Sequence, residues 1–405
     1  MPTLIHFGAG NIGRAVIAPI FLDAGYEVIF VDVDEDVVKR INEVRHYRIV
    51  ERQSGQDDVT VDVGPVSAVN GLRVDDVVSL IAGSDLVSTS VGGGALKHVA
   101  PVIARGITAR RARAPGRTLD VIVAENLRDG AEVMTRLISD SLDGDCDWLD
   151  RVGVSAASIE RAVPLMSSQE RAEDLLRVIC EPATGLIIDR KAFRGAVPAA
   201  TDLTAVDDIR AYIDRKILIF NMAHAATAYV GNLHDPGLVT ISDAIQVPEV
   251  KQRVRDCIAE SATGLAGAYA HAYDMSDLLH YGDQLLGRFA NEALRDTMTR
   301  VGRDLMRKLS RGDRMLGAML SAAHQNCPCS GLAYALRAAF EFRRTDGEAL
   351  RSDTEFLEHA DHLGISGALT GLCGLRESDA LDSRVMREIE QITLQAAGGL
   401  SPPCD

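Results

Sequence analysis

HFGAGNIGR, residues 6–14, decides how the rest of the chain is read. It ends a β-rich run, TLIHFG (3–8), and opens a helix-patterned one, GRAVIAPIFLDAG (13–25). Gly8, Gly10 and Gly13 stand at the spacing G-x-G-x-x-G. Between a strand and a helix, the first glycine allows a tight turn and the second lets backbone approach a pyrophosphate. The third lets helix and strand pack closely. Asn11 and Ile12 complete the turn, and the helix N-terminus presents N–H groups to phosphate oxygens. The second strand ends FVDVD (30–34). Asp32 then lies about twenty residues past the glycines, where a carboxylate accepts hydrogen bonds from the adenosine ribose. It would repel a 2′-phosphate, so the expected cofactor is NAD rather than NADP. The alternative is a glycine turn that binds nothing.

The surrounding pattern extends this reading. EVIFVDV (27–33), DLVSTSV (85–91) and DVIVAEN (120–126) are further strand candidates, separated by amphipathic segments such as ALKHVAPVIARG (95–106). Strands spaced by helices imply crossovers and a parallel sheet covered on both faces. The glycines of VGGG (91–94) would let the backbone at Val91 and Gly92 approach a cofactor near its nicotinamide ribose; an ordinary loop is the alternative. ARRARAPGRTL (109–119), rich in Arg with a Pro-Gly pair, reads as an exposed loop. Past residue 195 the β signal fades and long helical patterns take over, as in PEVKQRVRDCIAESATGLAGAYAHAY. The expected fold is α/β: an N-terminal Rossmann-type parallel-sheet domain (1–195) plus a mainly α-helical C-terminal domain (196–395). AAGGLSPPCD (396–405) has the composition of a loose tail.

A formal net charge of -15 over 405 residues argues against a nucleic-acid or acidic-membrane surface. No apolar run reaches membrane-spanning length, and no basic-then-apolar secretion signal opens the chain. A cytoplasmic protein is expected. Seven scattered cysteines do not read as a disulfide framework. Cys327 and Cys329, with His324 nearby, supply at most three ligands and no partner pair at zinc-like spacing, so no metal is expected.

DRKILIFNMAH (214–224) places Lys216, Asn221 and His224 in a greasy helix. On an ideal helix they fall at about 0°, 140° and 80°, within one half of the surface. An unpaired ammonium or amide buried there would cost several kcal/mol, as an order of magnitude. Oxidising an alcohol with a nicotinamide needs a base for the hydroxyl proton and donors for the oxygen that gains charge. The trio can supply both. On spacing alone, Lys216 can equally snorkel to solvent while Asn221 and His224 satisfy backbone groups.

GAGNIGR (8–14), AEN (124–126), IERAVP (159–164), DRKILIFNMAH (214–224) and RVGRDLMRKLSRGDR (300–314) occur in one order. Together they resemble the polyol-specific long-chain dehydrogenases, over nearly the whole chain apart from the last ten or so residues. The resemblance matches the family's K-x-x-x-x-N-x-x-H motif to Lys216, Asn221 and His224. It implies a metal-free mechanism in which Lys216 is the general base, Asn221 and Asn126 hold the alkoxide or carbonyl oxygen, and His224 orients the substrate. The implied reaction interconverts a sugar-alcohol phosphate and a ketose phosphate, foremost mannitol 1-phosphate and fructose 6-phosphate, in a monomer or weak homo-oligomer. An unphosphorylated polyol or hexuronate is the alternative substrate, and an NAD-responsive binding protein the non-catalytic one. Two stretches depart from the family pattern. Its usual GRGF reads GRAV at Gly13 to Val16, and VGGGALKH stands where VGP is typical.

Arg300, Arg303, Arg307, Lys308, Arg311 and Arg314 crowd fifteen residues of an otherwise acidic chain. Such a group can clamp a phosphomonoester, and Arg303, Lys308 and Arg314 are the chosen candidates. A solvated face neutralised by Asp304 and Asp313 is the alternative. Glu160 and Arg161 read as an interdomain or substrate-adjacent ion pair.

Overall fold

The structure is a computed structural model that describes residues 1–142, 147–164, 166, 168–182 and 185–397. It divides into two compact units, Met1–Ile213 and Asp214–Asp405.

The first unit carries eleven strands among its described residues: β1 (Thr3–Phe7), β2 (Glu27–Asp32), β3 (Tyr47–Glu51), β4 (Val59–Val63), β5 (Val66–Asn70), β6 (Leu86–Thr89), β7 (Leu119–Val123), β8 (Val152–Ile159), β9 (Val178–Cys180), β10 (Leu186–Asp189) and β11 (Leu203–Val206). Eight form one sheet in the order β11-β10-β8-β7-β6-β1-β2-β5. From β5 to β8 every pairing is parallel. Strand order reverses between β1 and β6, the switch point beside which open α/β sheets bind ligands at the carboxyl ends of their strands. Successive residues explain why both faces are covered. Leu4 and Phe30 enter one core with Val16, Ile17 and Phe21, while Ile5, Phe7 and Val31 enter another with Val77, Ile81 and Ile103. Each such large apolar side chain contributes about 1.5–3 kcal/mol of burial.

Three expectations change. First, the sheet is not wholly parallel: β10 runs antiparallel to β8, and β4-β3-β9 form a separate small sheet. Second, the first unit extends beyond residue 195, because β11 pairs with β10 and keeps the chain on the sheet. Third, the Arg-rich stretch is half helix. The helix Leu96–Arg113 runs into it, and buried Arg110 donates to the carbonyls of Ala82, Ser84 and Thr118. Three carbonyl partners hold the two terminal guanidinium nitrogens in the interior, while Nε is buried without a partner; composition alone reveals neither.

The described part of the second unit is built of helices, with a single isolated bridge between Thr240 and Thr297. Helices Met222–His234, Pro248–Ala268, Arg314–His324 and Ser330–Phe340 each bury several apolar side chains. The final helix reaches Ala397; the rest of the expected tail lies outside the described residues.

Candidate active site

The glycine turn in the first unit has the anatomy that a dinucleotide requires. Gly8 has φ +106°, and a Cβ there would lie 2.8 Å from the Ser90 carbonyl oxygen. At Gly13 a Cβ would lie 2.2 Å from the Gly8 carbonyl oxygen and 2.7 Å from Nε2 of His6. Gly10 is exposed, and a Cβ there would meet nothing within 4 Å. Two glycines are thus needed for packing, and the third leaves its outer side open. Half-buried Asp32 ends β2, where its carboxylate accepts the N–H of Ala9 at 2.6 Å and of Asp34 at 3.0 Å. Asn11 donates to the Pro164 carbonyl, and Ile12 is half-buried.

The helix behind the turn is not regular. Gly13–Ile17 is a π-turn, closed by Ala18 N–H donating to the Gly13 carbonyl, before α-helix resumes at Ala18. Ala15 and Val16, where the sequence departs from the family pattern, are fully buried. Beneath the turn, buried His6 places Nδ1 2.6 Å from Ser88 Oγ and Nε2 2.9 Å from Ser90 Oγ. Burial pushes its pKa down to about 3. It is a neutral strut between β1 and β6, and sequence reading passed over it.

At the carboxyl end of β7, Glu125 has a role that its neighbour Asn126 overshadowed. Its buried carboxylate accepts the N–H groups of Val91 at 2.9 Å and Gly92 at 2.8 Å. Those two donors are taken, which leaves Gly92 to offer a ligand only its carbonyl and open Cα side. Asn126 itself is exposed. Arg161 is buried, but its ion-pair partner is Glu51 rather than Glu160; it also donates to the carbonyls of Ala15 and Glu181.

In the second unit the polar trio sits on a second π-turn, Lys216–Asn221, where Met222 N–H donates to the Ile217 carbonyl. A π-turn holds one residue more than an α-turn, so whatever follows is set back by about 100°. Asn221 then moves from about 140° to about 40° relative to Lys216, and His224 from about 80° to about -20°. The three fall within one narrow stripe. Lys216 is half-buried and Asn221 buried. Ser261, on the helix Pro248–Ala268, donates to the Leu218 carbonyl inside the π-turn at 2.6 Å. Tyr269 donates to Asp214, two residues before Lys216, at 2.5 Å.

The imidazole of His224 is fixed on two sides. It stacks on Phe289 with ring centroids 4.8 Å apart and planes 12° apart, and its Nε2 lies 3.1 Å from Asp296 Oδ2. Asp296 also accepts from Nε of Arg300 at 2.7 Å. Burial alone would raise its pKa, but His224 and Arg300 outweigh burial and hold the carboxyl down at about 2. Burial lowers the His224 pKa, against the pull of Asp296.

The basic run divides sharply. Arg300, Arg307, Arg311 and Arg314 each have a carboxylate: Asp296, Asp304 with Asp313, Asp382, and Asp313 respectively. Arg303 donates to the Glu348 carbonyl. Lys308 is different. It is buried, its amine donates to the Val301 carbonyl, and its pKa is pushed well down by burial and then by Arg314, Arg307 and Arg300. Among the described residues no group of three or more His, Cys, Asp or Glu could hold a metal ion.

A glycine-turn nucleotide fold followed by a helical unit with a lysine, asparagine and histidine on one stripe defines a nucleotide-dependent dehydrogenase architecture. Residues 2–201 match the model of the mannitol dehydrogenase Rossmann domain, and residues 208–362 that of the mannitol dehydrogenase C-terminal domain. The chain belongs to the mannitol dehydrogenase family. It is similar to mannitol-1-phosphate 5-dehydrogenase of Bacillus subtilis, with 33% identity over 390 residues, covering 96% of this chain and 99% of that one. The enzyme of the same name from Bacillus licheniformis is 34% identical over 395 residues, 95% of this chain and 99% of that one. Among solved structures, Pseudomonas fluorescens mannitol 2-dehydrogenase in ternary complex with NAD and D-mannitol aligns with a TM-score of 0.76 at 17% identity, covering 99% of this chain and 95% of that chain. A substrate-free D-sorbitol dehydrogenase aligns with a TM-score of 0.77 at 17% identity, over 98% and 92%. These two likenesses establish the fold.

Proposed function

We propose that this chain is an NAD-dependent oxidoreductase interconverting D-mannitol 1-phosphate and D-fructose 6-phosphate. The observation that carries the reading is family membership along the whole chain, with relatives of that activity at 33–34% identity. The glycine turn fits the cofactor: Gly10 leaves room for the pyrophosphate, and Asp32 offers a carboxylate to the ribose. Bound NAD supplies the hydride acceptor. Lys216, neutral when it acts, takes the hydroxyl proton, and protonated Lys216 returns it in the reverse direction. Asn126 and Asn221 donate to the oxygen as it gains or loses charge. His224 holds the substrate. Lys308 and Arg314 are the phosphate ligands this reading favours, because the charge of Lys308 acts on His224 and that of Arg314 acts on Lys308. A phosphate dianion would favour the protonated Lys308 amine against the burial that lowers its pKa. No described helix is long and apolar enough to cross a membrane; the reading places the protein in the cytoplasm, as a monomer or weak homo-oligomer.

The test compares kcat/KM for mannitol 1-phosphate, mannitol and fructuronate, together with NADH oxidation on fructose 6-phosphate. The phosphorylated pair should be preferred by orders of magnitude, and a preference for free mannitol or fructuronate would reject the substrate assignment. Lys216→Ala should lower kcat by about 10²–10⁴-fold, the usual contribution of a positioned base, with NADH affinity intact. Near-wild-type turnover would remove Lys216 from the mechanism.

A further inference from the structure

An ionised carboxylate only accepts hydrogen bonds. Asp296 is held in that form by His224 and Arg300, so the His224 nitrogen facing it, Nε2, must carry the hydrogen. A neutral imidazole has one N–H, which leaves Nδ1 with a bare lone pair. Among the described residues no group hydrogen-bonds Nδ1; the stack on Phe289 fixes the plane of the ring, and a flip within that plane would break the Nε2 contact with Asp296. Arg300 and Lys308, the other groups acting on this imidazole, both pull its pKa down and so disfavour a second proton.

We propose that Asp296, backed by Arg300, is a positioning residue that locks His224 in its Nε2–H tautomer, so that Nδ1 accepts a hydrogen bond from a substrate hydroxyl. This rests on His224 contacting substrate, as in the function proposed above, and it goes further in fixing the direction of the hydrogen bond. His224 receives a hydroxyl hydrogen and cannot give one. The hydroxyl it holds is therefore a donor, distinct from the oxygen that Asn126 and Asn221 stabilise by donating.

Asp296→Asn separates the roles. Arg300 donates to the oxygen on its side, which fixes the amide so that its NH₂ faces His224. That NH₂ can only donate, so Nε2 must give up its hydrogen and Nδ1 must take it. The lone pair offered to substrate is lost with little change in shape.

The experiment is a long-range ¹H–¹⁵N correlation on protein labelled at histidine, with His224 assigned by difference against His224→Ala. Wild type should show the Nε2–H tautomer and Asp296→Asn the Nδ1–H tautomer. In Asp296→Asn, kcat/KM for mannitol 1-phosphate should fall about 10- to 100-fold, the usual result of leaving a buried polar group wrongly paired, with NADH affinity unchanged. An Nδ1–H or doubly protonated His224 in the wild type would overturn the proposal even if Asp296→Asn does not fold. Unchanged kcat/KM in a variant whose tautomer has switched would also overturn it. His224→Ala with wild-type kcat/KM would instead show that the underlying site reading is wrong, whatever the tautomer.

Discussion

A methyl group at Gly13 has nowhere to go, whereas one at Gly10 meets no protein atom within 4 Å. The difference separates folding from binding within a single turn. Gly13→Ala has to push apart the Gly8 carbonyl and His6, an overpacking cost of about 1–3 kcal/mol or more. It should lower both the melting temperature and NADH affinity. Gly10→Ala should melt like wild type yet bind NADH more weakly, because the methyl occupies the side along which a pyrophosphate passes. Thermal denaturation and fluorescence titration of the two variants check this, and Gly10→Ala binding NADH normally would remove the pyrophosphate from that place. At the same scale, the spacing of the glycines and of Lys216, Asn221 and His224 could be read directly. The partners could not. Glu125, Asp296 and His6 gain their roles from residues 33 to 84 positions away or from a packed ring, and no local pattern marks them.

At the scale of the element, both segments proposed to meet the reactants contain a π-turn: the first opens the helix that continues as Ala18–Asp23, and the second lies between Ile209–Arg215 and Met222–His234. A π-turn exchanges good intrahelical hydrogen bonds for poorer ones, so it needs outside help. In the second unit Ser261 provides it by donating to the Leu218 carbonyl from a fully buried position. Ser261→Ala leaves that carbonyl with one partner fewer, at a cost of about 1–3 kcal/mol. The midpoint of denaturant unfolding should fall accordingly. Because Lys216 and Asn221 ride on the same turn, kcat should fall more than NADH affinity. Wild-type stability and turnover in this variant would mean that the π-turn holds itself. The helix Arg351–Gly371 offers a contrast: its break at Gly364, with φ +67°, is the kind that a glycine announces.

For the molecule as a whole, buried titratable groups set how the two units respond to acid. His6 is neutral in the first unit until about pH 3, while in the unfolded chain it takes a proton near 6.5. Between those values only the unfolded state binds the proton, so stability falls as pH drops from 6.5 toward 3. Glu260 in the second unit has the opposite sign. Burial raises its carboxyl to about 7, so from 7 down to 4.5 the folded state takes the proton first and gains stability. His6→Asn, which keeps a polar group without that proton site, should flatten the acid limb of the first unit's melting temperature. Calorimetry of wild type and variant between pH 7 and 4 checks it, and equal slopes would show that His6 does not govern the limb.

What the sequence determined by itself was the parallel sheet, the glycine turn, the helical second unit and a set of candidate residues for the chemistry. All of these rest on periodicity, turn propensity and motif spacing, which are local properties of the chain. Tertiary structure alone decided that β11 extends the first unit, that Arg110 is interior, that Val91 and Gly92 spend their N–H groups on Glu125, and that four of six clustered cations are already neutralised. It also drew the trio from half a helix surface into a single stripe, through a π-turn whose supporting hydroxyl lies 43 residues from the carbonyl it serves. The physical reason is common to all of these. Buried polar groups must find partners, and the chain meets that demand with residues that only folding brings together.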